Sequence, residues 1–469
     1  MKKGQVVSGT VTRLDFPNLG IVICDGVEIA VKNVLPGQKI TFVITKSSKK
    51  AKVTGRLLSV DIPSPTQITS PCPHFGVCGG CLMQNIAYEE QLRIKEEQVR
   101  RLLDIENWEG IVASPCHSHY RNKMEYTFGD RCKDGALELG LHCRNSFYDI
   151  ITVNECRIAD DDFNRILAYT HEYFAALYQV PPTSTNSASK VTFYHRRRGS
   201  GFLRHLLLRK GVVSGEIIIA LVTTSQMDFD LEEWKQGLLS LSLTGTVNGV
   251  LHIINDGVAD TIKADEVRLL HGRDWFSEKI LGMTFKITPF SFFQTNSLGA
   301  EVLYQMVRKY QNEISSLSKS ANVIFDLYCG TGTISLVLAK TAARVIGIDS
   351  SEEAIAAAKE NYQRNQEEHL LAPCTFIAGD VLKVIDETSE TPDLIVLDPP
   401  RDGVHPKALP KILAYKAPHI IYISCKPTSL ARDLVTFTAV GYYPKRAVAV
   451  DLFPATANVE VVCWFSLLK

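Results

Sequence analysis

The C-terminal part of the chain alternates short apolar strands with helical segments, and this pattern constrains the fold more than any other feature of the sequence. A strand at residues 323–327 runs into a glycine turn and an apolar helix, and a second strand follows at residues 344–348. Parallel strands are joined by crossover helices, so the alternation predicts a doubly wound, Rossmann-like α/β domain. We assign residues 291–469 to this domain.

The sequence before residue 291 predicts two further domains, because a chain of 469 residues is long for a single core. Residues 1–62 contain short β-branched runs punctuated by glycines, which is typical of a small closed β-barrel of the OB-like kind. A proline-containing linker begins at about residue 61 and ends the barrel. Residues 63–290 mix strands and helices, and we assign them to a central α+β domain.

The charge of the chain gives little information about its partners. The 51 basic and 51 acidic residues cancel, so net charge does not indicate a nucleic-acid ligand. One local run, His195–Arg198 followed by Arg204, Arg209 and Lys210, is either a binding surface or an ordinary solvated face. No segment is apolar over a length that spans a bilayer, and no signal peptide is recognisable. We therefore expect a cytoplasmic protein with no membrane partner.

A glycine turn follows the first strand of the C-terminal domain. Gly330 and Gly332 let the backbone approach a ligand and direct helix N–H groups towards it. Asp349 ends the next strand about twenty residues later, where an acidic residue can bind both hydroxyls of an adenosine ribose. Asp380 is placed either to contact an adenine or to cap a helix. Nicotinamide-binding domains have a similar turn, but Ser335 occupies the place of their third glycine, so the sequence favours S-adenosylmethionine.

Two buried strands of the same domain end in residues that can react. Asp398 begins an Asp-Pro-Pro turn, which many nucleic-acid and amine methyltransferases carry next to the methyl donor, and Cys425 ends the following strand. Ligands bind at the carboxyl edge of such sheets. A nearby helix N-terminus and Lys426 would both favour the thiolate of Cys425. A packed strand cysteine without a reaction is the alternative interpretation.

A cysteine at this position suits methylation of carbon 5 of a uracil. Carbon 5 is a poor nucleophile, and addition of a thiolate to carbon 6 turns the ring into an enolate that carries negative charge on carbon 5. After methyl transfer, a base must remove the proton from carbon 5 so that the thiolate can leave. Glu460 is the candidate for this base, with an ordinary strand glutamate as the alternative.

Taken together, these residues resemble the bacterial RNA uracil-5-methyltransferases, particularly the 23S ribosomal RNA enzymes that carry an N-terminal TRAM domain and an iron–sulfur cluster. The resemblance covers nearly the whole chain and implies a class I methyltransferase domain, with Cys425 as nucleophile and Glu460 as base. Lys426 stands where the family usually has asparagine. The motifs that carry the resemblance are residues 291–296, 326–333, 398–403, 424–427 and 459–460.

The same resemblance implies a set of residues that bind S-adenosylmethionine as the cofactor. One of them departs from the family pattern, because a threonine stands at position 333 where many members have asparagine. The implied residues are Gln294, Tyr328, Thr333, Asp349, Asp380 and Asp398.

Twelve cysteines in a chain of this kind indicate metal or thiol chemistry rather than disulfides. Cys72, Cys78 and Cys81 lie close together in sequence, and three near thiolates with a distant fourth suit zinc and iron–sulfur alike. Their Cys-x5-Cys-x2-Cys spacing does not fit the Cys-x3-Cys-x2-Cys of radical S-adenosylmethionine enzymes. The family resemblance implies a [4Fe-4S] cluster with Cys156 as its fourth ligand, in a structural or RNA-contacting role.

The resemblance also implies the partner, an RNA, and favours ribosomal RNA. Bacterial transfer-RNA relatives generally lack both the barrel and the four cysteines, so a transfer-RNA uracil-5-methyltransferase is the main alternative. A non-catalytic RNA-binding protein that has kept the fold is a second alternative, against which the presence of both Cys425 and Glu460 argues. A nitrogen methyltransferase with an Asp-Pro-Pro turn would have no use for Cys425. The family resemblance suggests a monomer.

Overall fold

The fold is described from a computed structural model. The structure describes residues 1–48, 51–178, 191–259, 264–317, 322–381, 384 and 390–468. Within these ranges, no helix is long and apolar enough to cross a membrane.

The N-terminal domain is a closed five-stranded barrel, as the sequence predicted. Each strand pairs with the next around the barrel in the order β1-β2-β3-β5-β4, and β1 closes it by pairing antiparallel with β4. The interior is filled by buried aliphatic side chains and Phe42. The strands are β1 (Val6–Asp15), β2 (Leu19–Cys24), β3 (Val27–Lys32), β4 (Lys39–Ser48) and β5 (Ala51–Ile62).

The central domain is built on a seven-stranded sheet with helices on one face. Its strand order is β13-β12-β11-β10-β7-β8-β9. Helices α2 (Asp161–Leu177) and α3 (Glu232–Leu239) pack on it through a core that includes Phe163 and Trp234. The strands are β7 (Lys123–Asp130), β8 (Leu137–His142), β9 (Ile150–Thr152), β10 (Leu203–Lys210), β11 (Glu216–Thr223), β12 (Thr246–Ile254) and β13 (Glu266–Gly272).

The C-terminal domain has the predicted alternation of strands and helices around one eight-stranded sheet, in the order β18-β17-β16-β19-β20-β22-β21-β6. Its strands are β16 (Val323–Leu327), β17 (Arg344–Asp349), β18 (Cys374–Ala378), β19 (Leu394–Leu397), β20 (His419–Ser424), β21 (Tyr442–Val450) and β22 (Glu460–Leu467). Its helices include α4 (Ser297–Leu317), α5 (Thr333–Ala339), α6 (Glu352–Asn365), α7 (Ala408–Ala414) and α8 (Pro427–Ala439).

The direction of the strands decides where the site forms. Strands β16 to β20 are parallel, and β19 and β20 are almost entirely buried, because helices cover both faces of a parallel sheet. Strand β22 is antiparallel to β20. The first residue of β22 therefore lies beside the carboxyl end of β20, at the edge where ligands bind in such folds.

One segment of the range 63–290 is part of the C-terminal sheet. Strand β6 (Trp108–Val112) pairs in parallel with β21, and helix α1 (Tyr88–Leu103) packs Val99 and Leu103 into the same core as Phe437 of α8. The amphipathic pattern of α1 is visible in the sequence. The sequence does not show which sheet edge β6 joins, because the position of an edge strand is set by pairing with a strand distant in the chain.

The central and C-terminal domains share one hydrophobic core. Leu207 and Val222 of the central sheet pack in the same cluster as Leu303 of α4. Between them lies the hairpin of β14 (Phe276–Ile280) and β15 (Met283–Ile287), whose buried side chains belong to that cluster. A continuous core of this kind holds the two sheets at a fixed position relative to each other.

Candidate active site

The predicted nucleophile and the predicted base lie side by side at the carboxyl edge of the C-terminal sheet. Cys425 directly follows β20 and Glu460 is the first residue of β22, and the neighbouring pair Ser424 and Val461 is in register across the two strands. Asp398 directly follows β19, the strand on the other side of β20. The topology thus brings together Asp398, Cys425 and Glu460, of which the first and last are 62 positions apart in the chain.

The glycine turn after β16 is shaped by left-handed backbone conformations. Tyr328, Gly330 and Gly332 have φ angles of 70°, 54° and 81°. A Cβ on Gly332 would lie 3.0 Å from the Cβ of Ala358 and 3.2 Å from the ring of Phe376. Both the positive φ and the close approach of α6 therefore require glycine at position 332.

The carboxylate of Asp349 organises this turn. Its Oδ2 accepts a hydrogen bond of 3.0 Å from the Gly330 N–H, and its Oδ1 accepts one of 2.9 Å from the Ser351 N–H. A carboxylate has lone pairs for about four hydrogen bonds, so Asp349 keeps acceptor capacity for ribose hydroxyls. Burial, followed by the charge of Asp380, raises the pKa of the Tyr328 phenol to about 12, and Asp380 itself is exposed at the end of β18. Tyr328, Asp349 and Asp380 therefore lie at one edge of the sheet, and their binding of a cofactor stays a prediction.

Two other residues predicted to bind the cofactor, Thr333 and Gln294, lie at or just before the starts of two different helices. Thr333 is buried as the first residue of α5, and its hydroxyl lies 3.4 Å from that of Thr331. Gln294 lies just before α4 and near Tyr304: burial raises the pKa of the Tyr304 phenol, and the side chain of Gln294 opposes that rise. Sequence analysis did not identify Tyr304, because at helical spacing on the buried face of α4 it is indistinguishable from a core residue.

Three acidic groups in this pocket have raised pKa values. Burial raises the pKa of Asp326 to about 7 and that of Asp398 to about 7. Burial and the charge of Asp398 raise the pKa of Glu460 to about 8. Ser335 donates a hydrogen bond of 2.5 Å to Oδ2 of Asp326, which gives this serine a definite role in the turn. Because nearby carboxylates repel one another, the pocket favours bound protons or a bound cation.

Arg401, and not Lys426, is the cation that acts on the sulfur of Cys425. Burial and the charges of Glu460 and Asp398 raise the pKa of the Cys425 thiol to about 11, while the positive charge of the Arg401 guanidinium lowers that pKa. Nη2 of Arg401 donates a hydrogen bond of 3.0 Å to Oδ1 of Asn458. Nζ of Lys426 lies 3.7 Å from Oδ1 of Asp402, and both side chains are exposed. The expectation that Lys426 favours the thiolate is therefore corrected, because its side chain extends to a surface carboxylate.

The Asp-Pro-Pro turn is held against α8. Oδ2 of Asp433 accepts hydrogen bonds from the Val404 N–H and from the Tyr422 hydroxyl. The hydroxyl of Ser429 donates to the carbonyl of Arg401 at 2.8 Å. A Cβ on Gly403 would lie 2.7 Å from Oδ2 of Asp433, so glycine is needed for this close approach. These bonds fix the backbone from which Arg401 reaches Cys425.

The loop before Glu460 is anchored through buried polar contacts. Lys95 and Asp451 are both buried, and Nζ of Lys95 lies 2.6 Å from Oδ1 of Asp451. Nζ of Lys95 also donates to the carbonyl of Phe453, and the Leu82 and Met83 N–H groups both donate to the carbonyl of Ala455. The segment that carries Cys81 therefore supports the loop that leads into Glu460.

The four cysteines of the predicted cluster line one pocket beneath that segment. The Gly80 N–H donates to the sulfur of Cys78 at 3.4 Å, and the Gln84 amide donates to the sulfur of Cys81 at 3.3 Å. Such bonds favour thiolates. In the described part of the chain, however, no group of three or more histidine, cysteine, aspartate or glutamate side chains could hold a metal ion as placed.

Removing the charge of Arg401 is expected to shift the pH dependence of a reaction that needs the Cys425 thiolate. Arg401→Met removes the cation that lowers this thiol pKa, so the pKa rises and the thiolate fraction at neutral pH falls. We expect activity at neutral pH to fall roughly tenfold for each unit of pKa and to recover as the pH rises. The pH dependence of single-turnover rates measures this effect.

Lys426→Met is the matched control for this measurement, since it removes a neighbouring cation that pairs with Asp402 instead. The control should keep the wild-type pH profile. If Lys426→Met shifts the profile and Arg401→Met does not, the assignment of the cation is wrong.

Comparisons with known proteins agree with the resemblance seen in the sequence. The family model described as tRNA (Uracil-5-)-methyltransferase matches residues 210–467. An uncharacterized RNA methyltransferase of Clostridium tetani is 42% identical over 467 residues, with 98% of each chain covered. One of Clostridium acetobutylicum is 43% identical over the same length, with 98% of each chain covered.

A solved structure has the same fold over the whole chain. It is the tRNA (uracil-54, C5)-methyltransferase of Pyrococcus abyssi in complex with S-adenosyl-L-homocysteine. The two chains are 24% identical, with 98% of this chain and 100% of that chain covered, at a TM-score of 0.72.

Proposed function

We propose a reaction from one premise: the chain belongs to the tRNA (uracil-5-)-methyltransferase family and is an RNA uracil-5-methyltransferase that uses S-adenosylmethionine. We infer that it methylates carbon 5 of a uridine in 23S ribosomal RNA through a covalent bond between Cys425 and carbon 6. The observation that carries this mechanism is the proximity of Cys425 and Glu460, which adjoin the paired residues Ser424 of β20 and Val461 of β22, with Asp398 beside them.

Cys425 would act first. Its thiolate adds to carbon 6 of the uracil, which forms the S–C6 bond and places the electron pair of the C5=C6 double bond in an enolate with negative charge on carbon 5. The thiol first loses its proton to solvent water, and the positive charge of Arg401 favours this loss. When bound, S-adenosylmethionine supplies the methyl group to carbon 5.

Glu460 would act last. The adduct carries both a hydrogen and a methyl group on carbon 5, and the carboxylate of Glu460 removes that hydrogen as a proton. The electrons of the C5–H bond then re-form the double bond, and the S–C6 bond breaks to release the thiolate of Cys425. The raised pKa of Glu460, about 8, makes it a stronger base than an exposed glutamate.

The remaining predicted residues would hold the methyl donor. Tyr328, Thr333, Asp349 and Asp380 line the glycine turn and the two strand ends beside it, where an adenosine binds in this fold. Gln294 and Asp398 lie towards Cys425 and Glu460, and both are neighbours of Tyr304. The acidic groups there favour a cationic ligand, and a sulfonium carries a positive charge.

We also propose that Cys72, Cys78, Cys81 and Cys156 bind a [4Fe-4S] cluster. Their common pocket and the N–H donors on the sulfurs of Cys78 and Cys81 fit thiolate ligands of a cluster. Each thiolate of a cluster binds its own iron, so the four sulfurs need not converge on one ion as zinc requires, with Zn–S bonds of about 2.3 Å. The cluster would brace the segment that supports the loop before Glu460.

Protein purified without oxygen should be brown and contain about four irons per chain. Cys72→Ala should lose the colour and the iron. The matched control is Cys132→Ala, which changes an exposed cysteine away from this pocket and should keep both. Metal analysis of anaerobic protein that finds one zinc and no iron would refute the cluster.

The choice between RNA substrates rests on the N-terminal half. The barrel and the four cysteines favour 23S ribosomal RNA, because bacterial transfer-RNA relatives of the family generally lack both. Transfer RNA is the second candidate, since the Pyrococcus abyssi enzyme, whose name gives uracil 54 of tRNA as its target, matches this fold along its whole length.

Mapping of 5-methyluridine in RNA from a deletion strain distinguishes the two substrates. We expect one or more uridines of 23S ribosomal RNA to lose the methyl group while transfer RNA keeps its own. Re-expression of the wild-type chain should restore it, and Cys425→Ala should not. Loss confined to transfer RNA would assign the enzyme to the alternative substrate.

A further inference from the structure

A surface of the central domain combines exposed aromatic rings with arginines, away from the proposed active site. Phe147 and Tyr148 lie in the turn between β8 and β9, and they line a pocket together with Phe193, Arg196 and Arg197. Phe147 is 83% exposed and Tyr148 is 56% exposed. Large aromatic side chains at this exposure, grouped in a concave surface, are typical of a binding site.

The arginines of this surface lie on aromatic rings. The guanidinium carbon of Arg197 lies 4.5 Å from the centroid of the Tyr148 ring, and that of Arg204 lies 4.5 Å from the centroid of the Tyr194 ring. These contacts hold rings and guanidinium planes in defined orientations. Unpaired bases stack on both kinds of plane, so Tyr148 with Arg197 offers a preformed stacking site, whereas Arg204 is buried and contacts Tyr194 from the interior.

The electrostatics of the surface favour a polyanion. Five lysine or arginine side chains and three carboxylates line the two pockets that share this surface. Burial, and then the positive charges of Arg204 and Arg196, lower the pKa of His205 to about 3. Arg196 and Arg197 line the same pocket as Phe147, and phosphates complement such cations, so a nucleic-acid strand fits the surface better than an apolar protein partner.

Two strands connect this surface to the proposed active site. Thr127 and His205, which line the pocket, pair across β7 and β10. At the other end of β7, the side-chain amide of Asn122 donates to the hydroxyl of Ser297 at 2.7 Å, three residues beyond Gln294. Five residues of strand span roughly 16 Å, so that length of β7 separates the surface from the segment that carries Gln294.

We propose that this surface binds a single-stranded part of the substrate RNA outside the target uridine, with an unpaired base stacked on Phe147 and Tyr148 and Arg197 beside its phosphate. The proposal rests on the proposed function only in taking RNA as the ligand. It adds a second recognition site that selects substrates with an unpaired segment next to the target.

Fluorescence anisotropy with a labelled 12-nucleotide oligouridylate tests the proposal on the full-length protein. Phe147→Ala should raise the Kd about tenfold, the effect of losing one stacked base. Arg197→Ala should weaken binding and reduce the slope of log Kd against log salt by roughly 0.7, as expected for one lost phosphate contact on a single strand. A duplex of the same length should bind with no dependence on Phe147.

Two control variants keep the result specific. Leu370→Ala removes an apolar side chain of 87% exposure from the C-terminal domain, and Arg268→Ala removes an exposed arginine from β13 at the opposite edge of the central sheet. Neither should change the Kd. Wild-type Kd values for both Phe147→Ala and Arg197→Ala would overturn the proposal. The surface would then not bind RNA, and a protein partner would be the next ligand to test.

The outcome is independent of the chemistry. Binding of the oligonucleotide does not need Cys425, so Cys425→Ala should bind like wild type. If the wild-type protein fails to methylate RNA but Phe147→Ala still weakens binding, the proposed reaction fails and this surface stands.

Discussion

Cys425→Ala should reduce methyl transfer to RNA by about 10⁴-fold or more, the scale of loss seen when a covalent nucleophile is removed. Without a thiolate on carbon 6, carbon 5 of uracil has too little electron density to attack a sulfonium methyl group. The substituted side chain lies at the strand end, beside Glu460 and Arg401, and the glycine turn that would hold the methyl donor is on other strands. Affinity for S-adenosylmethionine should therefore stay within about twofold of wild type.

Transfer of a labelled methyl group to RNA measures the loss, and equilibrium binding of S-adenosylmethionine checks the fold. Cys463→Ala is the matched control, because Cys463 is a fully buried cysteine of the neighbouring strand β22 with no predicted role. That variant should keep activity at the cost of some stability. Methyl transfer by Cys425→Ala at a rate near wild type would contradict the mechanism.

Glu460→Gln should stop the reaction after methyl transfer and before release. The amide has nearly the same shape as the carboxyl group but cannot accept the proton from carbon 5, so the S–C6 bond cannot break. A covalent complex of protein and ordinary uridine RNA should therefore accumulate. It survives on a denaturing gel, whereas a tight non-covalent complex does not.

The controls separate the base from the nucleophile. Cys425→Ala should form no adduct, and the double variant should behave like Cys425→Ala. Asp402→Asn changes an acid whose side chain is 97% exposed, and it should turn over without an adduct. Free turnover by Glu460→Gln would move the role of base to Asp398 or Asp402.

The wild-type enzyme should show a pH dependence that follows Glu460. Its pKa is raised to about 8, so the basic form needed for release increases as the pH rises through that value. If release limits the rate, turnover should increase between neutral pH and about pH 9 and then level off, whereas the single methyl-transfer step should keep rising above pH 9 because it follows the Cys425 thiol, whose pKa is raised to about 11.

The architecture of the C-terminal domain could be predicted from the sequence because its signals are local. A glycine turn after an apolar strand, an acid at the next strand end and a cysteine at the end of a buried strand are all read from contiguous residues. Strand ends of a parallel sheet meet at one edge, so the meeting of Asp398 and Cys425 followed from their positions. The closed barrel was predicted for the same reason, from short strands and glycines.

The contacts that tune the site could not be predicted, because they depend on side chains distant in sequence. Arg401 reaches Cys425 from a different turn, while the adjacent Lys426, which the sequence favoured, extends to Asp402. Tyr304 has the spacing of a core residue and yet lies near Gln294, Asp398 and Glu460. The edge position of β6 likewise depends on pairing with a strand over 300 residues later.

The support of the loop before Glu460 is also a long-range feature. Lys95 pairs with Asp451 across 356 positions, and the cysteine segment holds Ala455 through two backbone N–H groups. Neither contact has a local sequence signal. Together they connect the proposed cluster to the proposed base. Loss of iron should therefore slow the release step more than it slows the addition of Cys425 to carbon 6.

The central claim is the covalent bond between Cys425 and carbon 6, and 5-fluorouridine RNA tests it most directly. Fluorine on carbon 5 cannot leave as a proton does, so wild-type enzyme with S-adenosylmethionine should become trapped on a fluorinated target. Mass spectrometry of the digested complex should find the methylated, fluorinated nucleotide on the peptide that contains Cys425. A stable complex attached at another residue, or complete turnover of fluorinated RNA without any covalent complex, would contradict the account.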